Sequence, residues 1–541
     1  MGREMNLDRR QLLRLLAAGG AAGALASLIA ACQPPSASGS PNPSGSAATR
    51  KEGDLLRIAI GSEPGSLDPA IVQGDNIGAI LWEIAPPLTT YFTNDGKFTG
   101  ALAESWTAST DAKTFTMTLR KGVKFSDGTP FDADAVKFNL SRVIDPRFPV
   151  GGAARLRDIT AIDVLDDTHV RITIKNPLSY FPYWLAYYTT CLISPSSVNS
   201  NGNSFDKIVY PVGAGPYKFV EYAKASHVTL ERNDEYYGSK PAWKRIQFLI
   251  APEAATREAM VLSGDADIAQ SPPTSDVTNL RGDSRVKVVT QKGNRAIFVG
   301  INTVGAHEPL LRDPRVRQAL NYAVNKQDII DKVLFGLGTV MDSPTPAVHA
   351  EYVKAGPYAY DPNKAKQLLR DAGATNLSLK LVSPTGRYLQ DFQAATAVAG
   401  YLQEAGIRID GPKTMDFPTL VKAVLQTPPA QQEFDLALFG YQSPTTGASL
   451  EFFEGRAIPP GGLNLYGENN PQVDSAIDAA NSTGDQKQAA DQYAKAQRLI
   501  WDDAPWIFLW TESPLLLVSS KVQGVSMIPL GVPYVDESSP A

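Results

Sequence analysis

Cysteine is nearly missing from this chain. Its 541 residues hold two, Cys32 and Cys191, so no disulfide framework braces the fold. Histidine is almost as scarce. The four present, His169, His227, His307 and His349, have no spacing that would set two on one helix face as metal ligands. Basic stripes are also absent, and a net charge of −5 with a pI near 5.6 argues against nucleic acid as a partner. No GxSxG elbow and no phosphate-binding P-loop occurs. Ser204-Phe205-Asp206-Lys207 fits a Ser-x-x-Lys pattern, but it stands in a Ser/Asn-rich stretch without companion motifs and is read as chance. These gaps remove the common hydrolase, kinase and metalloenzyme classes, and neither a metal nor a cofactor is expected.

The first 32 residues differ from the rest. Arg9-Arg10 precede Leu12 and Leu13, and an Ala/Gly/Leu stretch then ends at Ile29-Ala30-Ala31-Cys32. Gly19, Gly20, Gly23 and the charge on Arg14 weaken a stable membrane span, which leaves the small-small-Cys ending unexplained. The pattern is that of an export signal of twin-arginine type over residues 1–31, joined to a lipoprotein cleavage box. Lipidation is expected at Cys32. Its two acyl chains would hold the protein to the membrane, where one would not. Residues 32–53 contain almost no bulky apolar side chain and form a tether on the order of 25 Å in reach.

A chain this long exceeds one hydrophobic core and predicts several domains. Strands are expected at 55–60, 245–250 and 267–269, with a helix at 253–262 stopped by Gly264; this βαβ unit requires a partly parallel sheet. A second α/β pattern has strands at 377–382, 407–409 and 434–439 and a helix at 388–404 with Phe392, Ala395, Ala399 and Leu402 on one face. Asp313-Pro314 and Asp361-Pro362 each supply an N-cap and a first-turn proline. Between the pieces of the first pattern lies a separate block. There, Phe115, Met117 and Leu119 alternate with threonines as in a half-buried strand, a short strand follows at 123–125, and Asp132 caps a helix carrying Val136, Leu140 and Val143.

That block also carries a resemblance. SWTASTDAKTFTMTLRKGVKFSDGTPF, residues 105–131, resembles the signature of the family 5 solute-binding proteins of ABC importers, with Ser126 where the family usually has His. GSEPGSLDP (61–69), GAGPYKF (213–219), DPRVRQALNYAVNKQDII (313–330) and YDPNKAKQLLRDAG (360–373) resemble further family blocks in the family's order. The resemblance implies an α/β, two-lobed, periplasmic-binding-protein-like fold of class II type with an inserted α+β domain. Domain I would comprise 54–100, 210–300 and 508–541, domain II 101–209 and domain III 301–507. Apolar strands at 296–301 and 506–510 are expected where the chain leaves and re-enters the first lobe, as a paired hinge. The implied function is a lipid-anchored, extracytoplasmic, monomeric receptor that closes on a peptide-like or other small polar solute and delivers it to permease and ATPase subunits. A receptor feeding a sensor, and an enzyme derived from the fold, are the rival readings.

Ligands of open α/β sheets bind beyond the carboxyl ends of the strands. The expected contacts are Ser62, Glu63 and Gln270 in the first lobe and Ser383, Thr385, Arg387, Tyr441, Gln442, Ser443 and Trp510 in the second. Peptide binders of the family typically hold the peptide ammonium with an aspartate in the loop matching 440–449. GYQSPTTGAS has no acid. An ammonium there would lack a counter-charge in a low-dielectric cleft. A neutral polar solute, a sugar, or a ligand whose anionic group meets Arg387 is therefore favoured, with Glu63 or Asp75 as possible replacement acids. Tyr180, Phe181, Tyr183, Trp184, Tyr187 and Tyr188 are expected to pack the inserted domain rather than stack on a ligand.

Overall fold

The computed structural model describes residues 51–71, 75–90, 98–146, 154–201, 210–528 and 530–541. The export signal, Cys32, most of the tether and Ser204 to Lys207 lie outside them. Three main sheets carry the architecture.

The first sheet has seven strands, in the order Val286–Thr290, Leu515–Ser519, Ile268–Gln270, Leu56–Ile60, Arg245–Ile250, His227–Arg232 and Tyr217–Ala223. Leu56–Ile60 runs parallel to Arg245–Ile250 on one side and to Ile268–Gln270 on the other. The expected βαβ unit is thus present, with the first strand of the fold inserted between its two strands. Its helix, Ala254–Ser263, ends where Gly264 takes φ 88°, a left-handed turn that a residue without Cβ adopts without strain.

The second sheet has six strands, Gly338–Val340, Trp506–Glu512, Arg295–Ile301, Leu436–Gln442, Ser378–Pro384 and Arg408–Met415. Ser378–Pro384 is parallel to both of its neighbours. Helices Pro314–Ala323 and Pro362–Asp371 begin as expected, with the Asp313 and Asp361 side chains accepting from the backbone N–H groups of Arg315 and Lys364. Helix Asp391–Glu404 buries Ala395, Ala399 and Leu402, but Phe392 is exposed. The helix starts three residues later than the periodicity implied, and its buried face runs through Asp391, Ala394, Ala395, Val398, Ala399 and Leu402, with Phe392 at the flank of that face.

One expectation is corrected here. The strands read as a hinge between the lobes do pair with each other, from Ala296 opposite Thr511 to Gly300 opposite Trp506, but both sit in the interior of the second sheet. Phe298 stacks on Trp506 at 3.6 Å between centroids, both buried. The chain crosses between the sheets at 291–294 and 513–514 instead. An apolar strand buried on both faces looks the same in sequence whichever sheet receives it.

The third sheet, four antiparallel strands in the order Ala103–Ala108, Thr114–Leu119, His169–Ile174 and Ile159–Asp166, lies in the inserted segment and carries helix Ala133–Ile144. Phe115, Met117 and Leu119 are buried and the threonines between them half-buried, the alternation a one-sided strand requires. The Asp132 carboxylate accepts from Ala135 N at 2.9 Å, capping that helix. Residues 123–125 form no strand; an isolated bridge between Lys124 and Pro130 closes the turn, and Phe125 is buried all the same. Among the described residues, no helix is long and apolar enough to cross a membrane.

Candidate functional site

Where strands of the first two sheets end, their loops face each other across two adjoining cavities. The larger, about 470 Å³, is lined by Ser62 and Gln270 from the first lobe and by Arg295, Gln442 and Glu512 from the second. The smaller, about 290 Å³, is lined by Tyr187, Asn294, His349, Arg387, Gln442 and Ser443. Gln442 and Leu530 border both.

Between the cavities the polar side chains are locked together. Gln442 Nε2 donates to Asn294 Oδ1 at 2.8 Å, and Gln442 Oε1 accepts from the Arg295 guanidinium at 3.1 Å. Arg295 reaches Glu512 at 3.4 Å, and Glu512 Oε1 accepts from Leu389 N at 3.0 Å. The Glu512 charge is thereby already matched.

Arg387 is different. Its loop is shaped by Gly386, at φ 74°, and by the buried Asp391 carboxylate, which accepts from the backbone N–H groups of Gly386, Arg387 and Tyr388 at 3.1, 2.8 and 3.1 Å. The guanidinium lies over the Phe417 ring at 4.7 Å and the Tyr388 ring at 5.6 Å. No described carboxylate pairs with it, so an exposed cation held on aromatic faces borders the smaller cavity. His349, fully enclosed, donates from Nε2 to Ser443 O at 3.1 Å, and burial lowers its pKa to about 4, so it stands neutral in the wall.

Of the residues expected from sequence, Ser62, Gln270, Arg387, Gln442 and Ser443 are brought to these cavities. The others are not. Glu63 braces a turn, its carboxylate accepting from Ala225 N at 2.7 Å and from the Tyr222 hydroxyl at 2.8 Å, contacts that lower its pKa. Ser383 is buried and donates to Pro384 O; Thr385 is exposed and borders neither cavity. Tyr441 is core, its hydroxyl donating to Pro344 O at 3.3 Å, and Trp510 is buried within its strand. Both lie inside strands buried on both faces, where only the terminal residues, Gln442 and Glu512, reach the cleft. The Asp75 side chain lies outside the described residues. In the aromatic run, Tyr180, Phe181, Trp184 and Tyr188 are buried as packing requires, while Tyr187 reaches the smaller cavity. Arg295, Asn294, His349 and Glu512 were missed. Arg295 and Glu512 sit where the chain crosses between sheets, and only that crossing turns them to the cleft.

Two α/β lobes with polar cavities between their strand ends make the arrangement in which open α/β sheets hold ligands. Residues 97–454 match the bacterial extracellular solute-binding proteins, family 5 (middle). The chain belongs to this family. It is 30% identical over 476 residues to the glutathione-binding protein GsiB of Pectobacterium atrosepticum, covering 87% of this chain and 91% of that one. It is 28% identical over 484 residues to GsiB of Escherichia coli, covering 87% and 92%. Among solved structures, HbpA2 from Haemophilus parasuis superposes with a TM-score of 0.80 at 24% identity, covering 90% of this chain and all of that one. The unliganded open form of the periplasmic murein tripeptide binding protein MppA gives 0.79 at 22% identity, covering 91% and 98%. GsiB and MppA are named as binding proteins.

Proposed function

We propose that this chain is the extracytoplasmic solute-binding subunit of an ABC importer, anchored by lipidated Cys32, and that its solute is peptide-like and carries a carboxylate. Ser62 and Gln270 on one lobe and Arg387, Gln442 and Ser443 on the other contact the solute. The lobes close when the bound solute touches both, because only the closed form gains both sets of contacts. On this reading it acts as a monomer with permease and ATPase subunits as partners. In domain terms, the first sheet and its helices form domain I, the inserted sheet domain II and the second sheet domain III, with crossings at 291–294 and 513–514.

One observation carries the reading: Arg387 presents a guanidinium, with no carboxylate partner among the described residues, to a cavity between the lobes. A charge-assisted hydrogen bond from such a group contributes about 1.5–3 kcal/mol, roughly a factor of ten to a hundred in affinity. The glutathione-binding relatives agree with it, since glutathione is a tripeptide with two carboxylates. Titration calorimetry with glutathione and with Ala-Ala-Ala tests it. Arg387→Met is expected to weaken whichever binds by about that factor, and unchanged affinity in the variant would sink the assignment.

A further inference from the structure

A third cavity, about 700 Å³, lies between the inserted sheet and the second lobe. Trp106 and Phe115 wall it from the sheet, Tyr180 and Tyr183 from the segment that follows, and Tyr493 from helix Gln486–Asp503. Phe98 stacks on Tyr183 at 3.8 Å at its edge. Into this aromatic chamber projects one carboxylate, Glu351.

Glu351 Oε1 receives only a long hydrogen bond from the Tyr183 hydroxyl, 3.4 Å, and Oε2 is buried with no hydrogen-bond partner. Among the described residues no cation acts on it; burial raises its pKa, and its own backbone N–H and the hydroxyls of Tyr183 and Thr446 beside it offset this only in part. The surroundings are negative, since Glu351, Glu451 and Glu454 all act on the Tyr493 phenol and push its pKa up together with burial. Of these, Glu454 has Arg456 at 3.2 Å and Glu451 accepts from the Tyr180 hydroxyl at 2.5 Å. Ionising a buried carboxyl without a counter-charge is costly, and a cation entering the chamber would offset that cost. Aromatic walls around a carboxylate make a chamber suited to an ammonium or guanidinium group.

Consecutive residues of one segment line the chamber and the Arg387 cavity. Val348 and His349 line that cavity, and the next two residues, Ala350 and Glu351, line the chamber. Ser443 borders the first, and Thr446, three residues on, lies beside Glu351. Three residue steps span at most about 11 Å, about the length of an extended tripeptide.

We propose that the chamber receives the cationic group of the solute whose carboxylate meets Arg387, with Glu351 as its counter-charge. The acid missing from loop 440–449 is supplied from a different segment, and the solute is zwitterionic, with opposite charges at its two ends. This inference rests on the reading of a peptide-like solute at Arg387.

The test compares Ala-Ala-Ala with N-acetyl-Ala-Ala-Ala by calorimetry on the purified full chain. The unmodified protein is expected to prefer the free amine by about tenfold or more. Glu351→Gln, nearly the same shape, is expected to abolish that preference by weakening the free-amine peptide, without lowering the melting temperature. Arg387→Met should weaken both peptides alike. If both bind equally to the unmodified protein, or the preference survives in Glu351→Gln, the Glu351 assignment is overturned and the Arg387 reading stands. If neither peptide binds, the Glu351 assignment is overturned, and the Arg387 reading stands or falls with glutathione.

Discussion

His349 shows how burial tunes one side chain in the cleft wall. Its Nδ1 faces the Ser449 hydroxyl at 3.5 Å, its Nε2–H is taken by Ser443 O, and burial brings its pKa from 6.5 to about 4. A base whose pKa is depressed in the folded state favours folding above its unfolded pKa, and that contribution fades as pH falls from 6.5 towards 4. Stability is therefore expected to be about 2 kcal/mol lower at pH 5 than at pH 7 through this residue alone. Glu468 works in the opposite sense. Burial raises it to about 7, so its contribution is present below pH 4.5 and is lost as pH rises through 7. Urea unfolding of the unmodified protein and of His349→Gln at both pH values separates the two; an equal pH dependence in both proteins would contradict the assignment to His349. At this scale the sequence pointed to residues at or just past a strand end, and Gln442, Ser443 and Arg387 of that kind border the cavities. It misled at Tyr441 and Trp510, because a polar-tipped aromatic inside a strand serves the core as readily as a cleft.

The loop at 385–390 is the element on which the proposed site turns. Asp391 binds three consecutive N–H groups of this loop and so fixes where Arg387 leaves the backbone. Removing it leaves these donors, the buried Tyr388 N–H among them, without their acceptor, at about 1–3 kcal/mol. Asp391→Ala is expected to lower stability by that amount and to weaken carboxylate ligands as well, although Asp391 lines neither cavity. Chemical denaturation and calorimetry on the same variant check both parts, and full affinity with lowered stability would reduce Asp391 to a purely structural role. Elements governed by local chemistry were readable in advance. The Asp132, Asp313 and Asp361 caps and the alternation at Thr114–Leu119 each lie within a few residues of their own signal. The short segment at 123–125 was not, since three apolar-leaning residues do not distinguish a strand from a turn that happens to bury Phe125.

For the whole molecule, the proposal of a membrane-held receptor gives a prediction independent of the ligand. Cys32→Ser expressed in a bacterial host is expected to move the protein from the membrane fraction to the soluble extracytoplasmic one, read by fractionation and by the mass of the mature N-terminus. Retention of the variant on the membrane would end the lipid-anchor reading. At this scale the sequence alone determined the family resemblance, the α/β alternation, the helix caps and the loops past strand ends, because each is written in residues close together along the chain. Only the tertiary structure decided which sheet owns the strands Arg295–Ile301 and Trp506–Glu512, that Glu63 is spent on a turn, and that Glu351 faces an aromatic chamber. Those outcomes depend on pairings between residues tens to hundreds of positions apart, and no local pattern of hydrophobicity, charge or turn chemistry carries that information.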